Sequence, residues 1–195
     1  MNKYTKLIMV RHANVEYTSD DTERALSKKG EEQKYDVFKI LKNKEVDVIY
    51  SSPLTRAIET IKPYAEYKNM KIHIVEELRE RKVSDHFIED FESYAIKQWE
   101  DFDYKLPYGE SLRQVQERGI KTIEEIVKAN NGKTIVIGTH GTFLSVLLNH
   151  YEKTCDYKFW KNLQSPAIIS IILDSQGFVE SIYETKLDGR ILTIK

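Results

Sequence analysis

Two short apolar runs constrain the fold of this chain more than any other feature: Leu7-Ile8-Met9-Val10 and Thr134-Ile135-Val136-Ile137-Gly138. Neither alternates with polar residues, so each reads as a strand buried on both faces, the habit of a parallel sheet flanked by helices. The first run leads into Arg11-His12 and the second into Thr139-His140-Gly141. In such sheets ligands bind in the crevice outside the carboxyl ends of the strands, which places both histidines for a single site.

At 195 residues the chain has the length of one domain with a full core, and it is read as a single unit over 1–195. Charged residues make up 31% against 41% hydrophobic, with a formal net charge of -1. That balance gives no global field for nucleic acid or an anionic membrane, so any anion binding must be local. No run has the length of a signal-peptide core or a membrane span, and a cytoplasmic protein is expected. A single cysteine, Cys155, excludes an internal disulfide and fits a reducing compartment. Oligomeric state is left open.

Runs rich in β-branched residues alternate with longer amphipathic stretches, the pattern of βα units. Strands are expected at 6–11, 46–50, 71–75, 134–139, 167–173 and 178–183. The last two are joined by Asp174-Ser175-Gln176-Gly177, a hairpin signal, so a mostly parallel sheet with an antiparallel edge strand is expected, flanked by helices as a three-layer α/β sandwich. Ser27 caps a predicted helix to about Lys42, and Ser52-Pro53 predicts a second helix to about Tyr67. Ser111-Leu112-Arg113-Gln114 is a capping box ahead of a third, and a fourth is expected from about Thr142 to Tyr151. The stretch from 76 to 109 breaks the alternation; it is rich in aromatics and acids, and one or two helices are expected there, as an insertion placed to act as a lid.

The strand ending at Ile49-Tyr50 enters Ser51-Ser52-Pro53-Leu54-Thr55-Arg56, which puts Arg56 near a helix amino end at the same sheet edge as the histidines. Arg11, Arg56 and two imidazoles around one point make a cradle for a dianion, and guanidinium forks match phosphate oxygens. The ligand inferred from this set is a phosphoryl group. Two decoys are set aside. Gly132-Lys133-Thr134 precedes a strand instead of following one and lacks the first glycine of a P-loop. Cys155 to Lys161 holds no arginine at the spacing a thiol phosphate loop requires, and no clustered Cys/His spacing supports a metal site.

These motifs together resemble the histidine phosphatase superfamily, the phosphoglycerate mutase-like family, over nearly the whole chain. Arg11-His12-Ala13 resembles its Arg-His-Gly signature, Leu26 to Gln33 its Leu-Thr-x-x-Gly-x-x-Gln helix start, and Ser51 to Thr60 its Ser-Ser-x-x-x-Arg-Ala-x-x-Thr block. Leu78-Arg79-Glu80, Tyr108-Gly109-Glu110-Ser111 and Thr139-His140-Gly141 resemble its later motifs in order. The resemblance implies that His12 is a nucleophile forming a phosphohistidine. It also implies that Arg11, Arg56 and His140 bind the phosphoryl oxygens, and that Glu80 protonates the leaving alkoxide. No metal or other cofactor is expected, because the arginines supply the electrostatic stabilisation.

Departures from the family pattern fall beside the nucleophile and after Glu80. Ala13 replaces a glycine, Asn14 stands where Glu or Gln is usual, and Thr18 stands where an Asn contacts phosphate; Asn14 and Thr18 are kept as substrate-binding candidates. Arg81-Lys82-Val83-Ser84-Asp85-His86 replaces the family's Phe-Gly-x-Trp-Glu-Gly run, and Arg79, Arg81 and Lys82 are either a second anion contact or a solvated basic face. The expected function is hydrolysis of a small-molecule phosphomonoester. Mutase-type transfer and non-catalytic phosphate recognition are the alternatives.

Overall fold

Residues from the two apolar runs alternate between two separate cores. Leu7, Met9, Ile135 and Ile137 face one side of the sheet, while Ile8, Val10 and Val136 face the other. All seven are at most 2% exposed. Full burial of side chains of this size contributes roughly 1.5–3 kcal/mol each, which makes these strands the centre of the molecule.

The computed structural model describes residues 4–16, 24–84 and 88–195. In chain order the elements are β1 (Thr5–Arg11), α1 (Lys28–Leu41), β2 (Val48–Ser51), α2 (Thr55–Tyr67) and β3 (Ile72–Ile74), then a 3-10 turn (Glu76–Leu78). They continue with α3 (Phe91–Glu100), α4 (Leu112–Ala129), β4 (Thr134–Thr139), α5 (Gly141–Tyr151), α6 (Tyr157–Asn162), β5 (Ala167–Leu173), β6 (Val179–Thr185) and β7 (Ile191–Thr193). The strands form one seven-stranded sheet in the order β3-β2-β4-β1-β5-β6-β7. The block β3-β2-β4-β1 is parallel, and β5, β6 and β7 add to it antiparallel. The antiparallel side is therefore three strands wide, more than the single edge strand expected.

Val37 and Leu41 of α1 pack with Ile61, Tyr64 and Ala65 of α2 on one face. On the other, Leu112, Val115, Ile123 and Ile126 of α4 meet Phe143, Leu144, Leu147 and Leu148 of α5. This is the expected three-layer α/β arrangement. Ser27 caps α1 by accepting from Gly30 N at 3.1 Å, worth about 1 kcal/mol. Ser111 and Gln114 form the expected capping box on α4.

Helix α2 starts two residues later than Ser52-Pro53 suggests. Leu54, with no polar side chain, holds the cap position without a side-chain bond, while the Ser52 hydroxyl accepts from Leu54 N at 3.2 Å and meets His140. In the inserted stretch α3 is the helix beyond the 3-10 turn. Its rings pack toward α6: Phe91 and Trp99 each lie 6.5 Å from Trp160 between centroids. Among the described residues, no helix is long and apolar enough to cross a membrane.

Candidate active site

The parallel register carries the chain ends of β1, β2 and β4 into one place. Beyond the strands, His12 N donates to Thr139 O at 3.0 Å and Ser52 N donates to Gly138 O at 2.9 Å. His12, Ser52 and His140 are thus side by side, and the two imidazole centroids lie 5.3 Å apart. Both histidines expected in one site are brought together.

His12 Nδ1 lies 2.8 Å from the Ala13 carbonyl oxygen. A carbonyl only accepts, so Nδ1 carries the proton and Nε2 is left with its lone pair. Burial lowers the His12 pKa from 6.5 to about 3; the Ala13 bond opposes this, while Arg56, Arg11 and Arg24 add to it. The ring is therefore neutral at any working pH near 7.

His140 is fully buried. Its Nε2 is 2.7 Å from Ser52 Oγ, and its Nδ1 is buried with no protein hydrogen-bond partner. Burial holds its pKa well below the ordinary value, with further lowering by His12, Arg56, Arg118 and Arg11. Arg11 and Arg56 thus push both imidazoles toward the neutral form, the field of a pocket suited to an anion.

The two arginines are fixed by different means. Arg56, in the first turn of α2, is 2% exposed. Its carbonyl accepts from Thr60 Oγ1 at 2.7 Å, and that hydroxyl accepts from Ala13 N at 2.9 Å, which ties α2 to the residue after His12. Arg11 Nη1 donates to the Leu163 carbonyl. A Cβ at position 141 would lie 2.9 Å from the Arg11 guanidinium carbon, so Gly141 lets the guanidinium lie against the start of α5.

Asn14 is bound through its backbone. Its N–H donates to Gln33 Oε1 at 3.0 Å, its carbonyl accepts from Ser27 N at 3.0 Å, and Gln33 Nε2 donates to Ser165 O at 3.0 Å. Ser165 Oγ donates to the His12 carbonyl at 2.7 Å. A Cβ at Gly30 would sit 2.0 Å from the Asn14 carbonyl oxygen, so the glycine of the α1 start is required by this contact. Asn14 also lines a cavity of about 590 Å³ with Gln33, Ser165 and Lys29. Thr18 lies outside the described residues.

Glu80 docks on the amino end of α5. Its Oε1 accepts from Arg81 N at 2.8 Å and Phe143 N at 3.0 Å, and its Oε2 accepts from Thr142 N at 3.0 Å. Since His140 is the N-cap of α5, the carboxyl group is held one turn from the second histidine. The basic residues around it are already engaged. Arg79 Nη1 reaches both oxygens of Glu110, at 3.0 and 2.9 Å. Arg81 is 4% exposed, bonded to Gln98 and set beneath the rings of Phe91 and Tyr94.

Two residues outside the expected set organise this side: Glu110, in the turn before α4, and Arg118 of α4. The sequence signal for Glu110 was its place in the Gly-Glu-Ser turn; Arg118 carried none, because its partners are distant in the chain.

One end of a mixed α/β sheet thus gathers Arg11 and His12 from the end of β1, His140 from the end of β4 and Arg56 from the start of α2. The chain belongs to the histidine phosphatase superfamily (branch 1), whose family profile matches residues 7–181. Phosphoserine phosphatase 1 of Hydrogenobacter thermophilus is 30% identical over 153 residues, covering 69% of this chain and 70% of that protein. The uncharacterized phosphatase PhoE of Bacillus subtilis is 25% identical over 187 residues, covering 93% of each. Among solved structures, phosphoserine phosphatase of Entamoeba histolytica in complex with 3-phosphoglyceric acid matches with a TM-score of 0.77 at 24% identity. That match covers 94% of this chain and 98% of that one, and shows a common fold.

Proposed function

We propose that this protein hydrolyses small-molecule phosphomonoesters through a phosphohistidine at His12, without a metal. The observation that carries this reading is the His12 Nδ1 bond to the Ala13 carbonyl, which leaves Nε2 unprotonated in the positive field of Arg56 and Arg11. Nε2 attacks phosphorus as the ester P–O bond breaks, and the leaving oxygen takes a proton from Glu80. Water then attacks the phosphohistidine, the P–N bond breaks, Glu80 takes a proton from that water, and phosphate leaves. Arg11, Arg56 and the Nδ1 of His140 meet the equatorial oxygens, where charge accumulates in the transition state.

On this reading residues 1–195 act as one domain and the described part of the stretch from 76 to 109 covers the site. Its support is the link from the α3 rings to Trp160, whose Nε1 lies 3.2 Å from Thr142 Oγ1 beside Glu80. The reading is tested by assaying phosphate release over a panel of phosphomonoesters that includes phosphoserine, with and without a chelator, beside isomer exchange on 3-phosphoglycerate. Chelator-resistant release of phosphate supports it. Fast exchange without net hydrolysis makes the protein a mutase instead, and no turnover of any ester leaves a phosphate-recognition module.

A further inference from the structure

The segment that carries Glu80 lies outside every strand and α-helix, yet it is gripped at Glu77, Arg79, Glu80 and Lys82 by one pair of side chains. Arg118 of α4 donates through Nη1 to the carbonyls of Glu77 at 2.6 Å and Arg79 at 3.1 Å, and through Nη2 to the carbonyl of Glu80 itself at 3.3 Å. Its Nε and Nη2 also reach Glu110 Oε1 at 2.9 Å and Oε2 at 3.2 Å. Glu110 in turn holds the Arg79 guanidinium and accepts from Lys82 N at 2.9 Å.

Both members of the pair are largely enclosed, with side chains 11% and 16% exposed. Burial alone would raise the Glu110 carboxyl, but the bonds from Arg118, Lys82 and Arg79 bring it below the ordinary carboxylate range. An arginine and a carboxylate matched in this way, with further bonds on both, form a stiff unit. Leu78, fully buried, already anchors the segment to the core. What the pair adds is a hold on the backbone of Glu80, whose carboxyl group is separately docked on Thr142 and Phe143 of α5. Proton delivery is sensitive to displacements of about 1 Å, so a fixed backbone and a fixed carboxyl are what such a donor requires.

We propose that Glu110 and Arg118 are positioning residues that hold Glu80 at the distance needed to protonate the leaving group. This rests on the reading of Glu80 as the proton donor. A proton donor matters most when the departing oxygen is a poor leaving group, so a loosened Glu80 has a signature that general destabilisation lacks.

The test measures kcat/KM of wild type, Glu80→Gln, Glu110→Gln and Arg118→Lys on p-nitrophenyl phosphate, a good leaving group, and on a small alkyl phosphate, a poor one. For a covalent mechanism kcat/KM reports steps up to P–O cleavage and excludes release of phosphate from His12. The ratio between substrates on one preparation also cancels any inactive fraction, so a variant that folds poorly still reports. Glu110→Gln and Arg118→Lys are expected to lose at least about ten-fold more on the alkyl ester than on the aryl ester. Glu80→Gln is expected to show the same bias more strongly, and Arg118→Lys added to Glu80→Gln to lose less than the two single effects combined. Equal losses on both esters in Glu110→Gln and Arg118→Lys, with the bias retained in Glu80→Gln, overturn the positioning role alone. Absence of the bias in Glu80→Gln overturns the proton-donor reading and the positioning role together.

Discussion

The two halves that the proposed mechanism gives the site are built by different means. The phosphate half, His12, His140 and Arg56, is delivered by backbone: parallel strands in register, one helix start, and hydrogen bonds that extend the ladder by one residue at His12 and Ser52. The leaving-group half, Glu80, sits on a segment without a ladder, and side chains from α4 and the 110 turn hold it there. A backbone-built half tolerates surface change but not substitution of its own donors. A side-chain-built half is adjustable through the side chains that hold it. Under the proposed mechanism, the difference predicts that the general phosphate chemistry and the response to a particular leaving group are separable.

That separation is open to attack by substitution. In the phosphate half, Arg56→Ala is expected to lower kcat/KM by about 10²–10³-fold on aryl and alkyl esters alike, since the lost charge acts on the phosphoryl group common to both. A loss confined to alkyl esters would break the comparison. Gly30→Ala drives a methyl group onto the Asn14 carbonyl, and thermal unfolding should show a loss of about 1–3 kcal/mol, the usual cost of overpacking. An unchanged midpoint would mean that the loop after His12 is not fixed by this contact. Ser52→Ala removes the hydroxyl at His140 Nε2 and is expected to cost about ten-fold in kcat/KM, equally on both ester types.

A separate effect is expected on acid stability. His12 stays neutral when folded down to about pH 3, and His140 is shifted the same way. An unfolded chain takes up protons near 6.5, so it binds more protons than the folded chain in this window and stability falls as pH drops from 6.5 toward 3. Replacing His12 with Asn removes one of these groups, and the fall in unfolding midpoint between pH 6.5 and pH 4 should become shallower. An unchanged slope would mean that the ring is not held neutral by the fold.

The sequence disclosed the phosphate half because its cause is local. An apolar strand ending in Arg11-His12, another ending in His140, and a helix start at Arg56 are each contiguous, and the parallel sheet brings them together without further information. Glu80 was legible through its motif. The hold on it was not, because Arg118 lies 38 residues along the chain and meets the Glu80 carbonyl only after α4 has packed. Shortness hid β7, a three-residue strand paired with Tyr183 to Thr185, and α6, a helix of six residues whose Asp156 cap accepts from Phe159 N, since neither is long enough to show a hydrophobic period. Ser52 was read as a helix cap, but its hydroxyl has a stronger use at His140.

The central claim is that His12 Nε2 becomes covalently phosphorylated. Rapid acid-free quenching of wild type during turnover of a phosphomonoester, followed by peptide mapping, should place an acid-labile, alkali-stable phosphoryl group on His12. His12→Ala should show neither the label nor turnover, with a loss of at least about 10³-fold. Full turnover by His12→Ala, or a label found on another residue, would contradict the account.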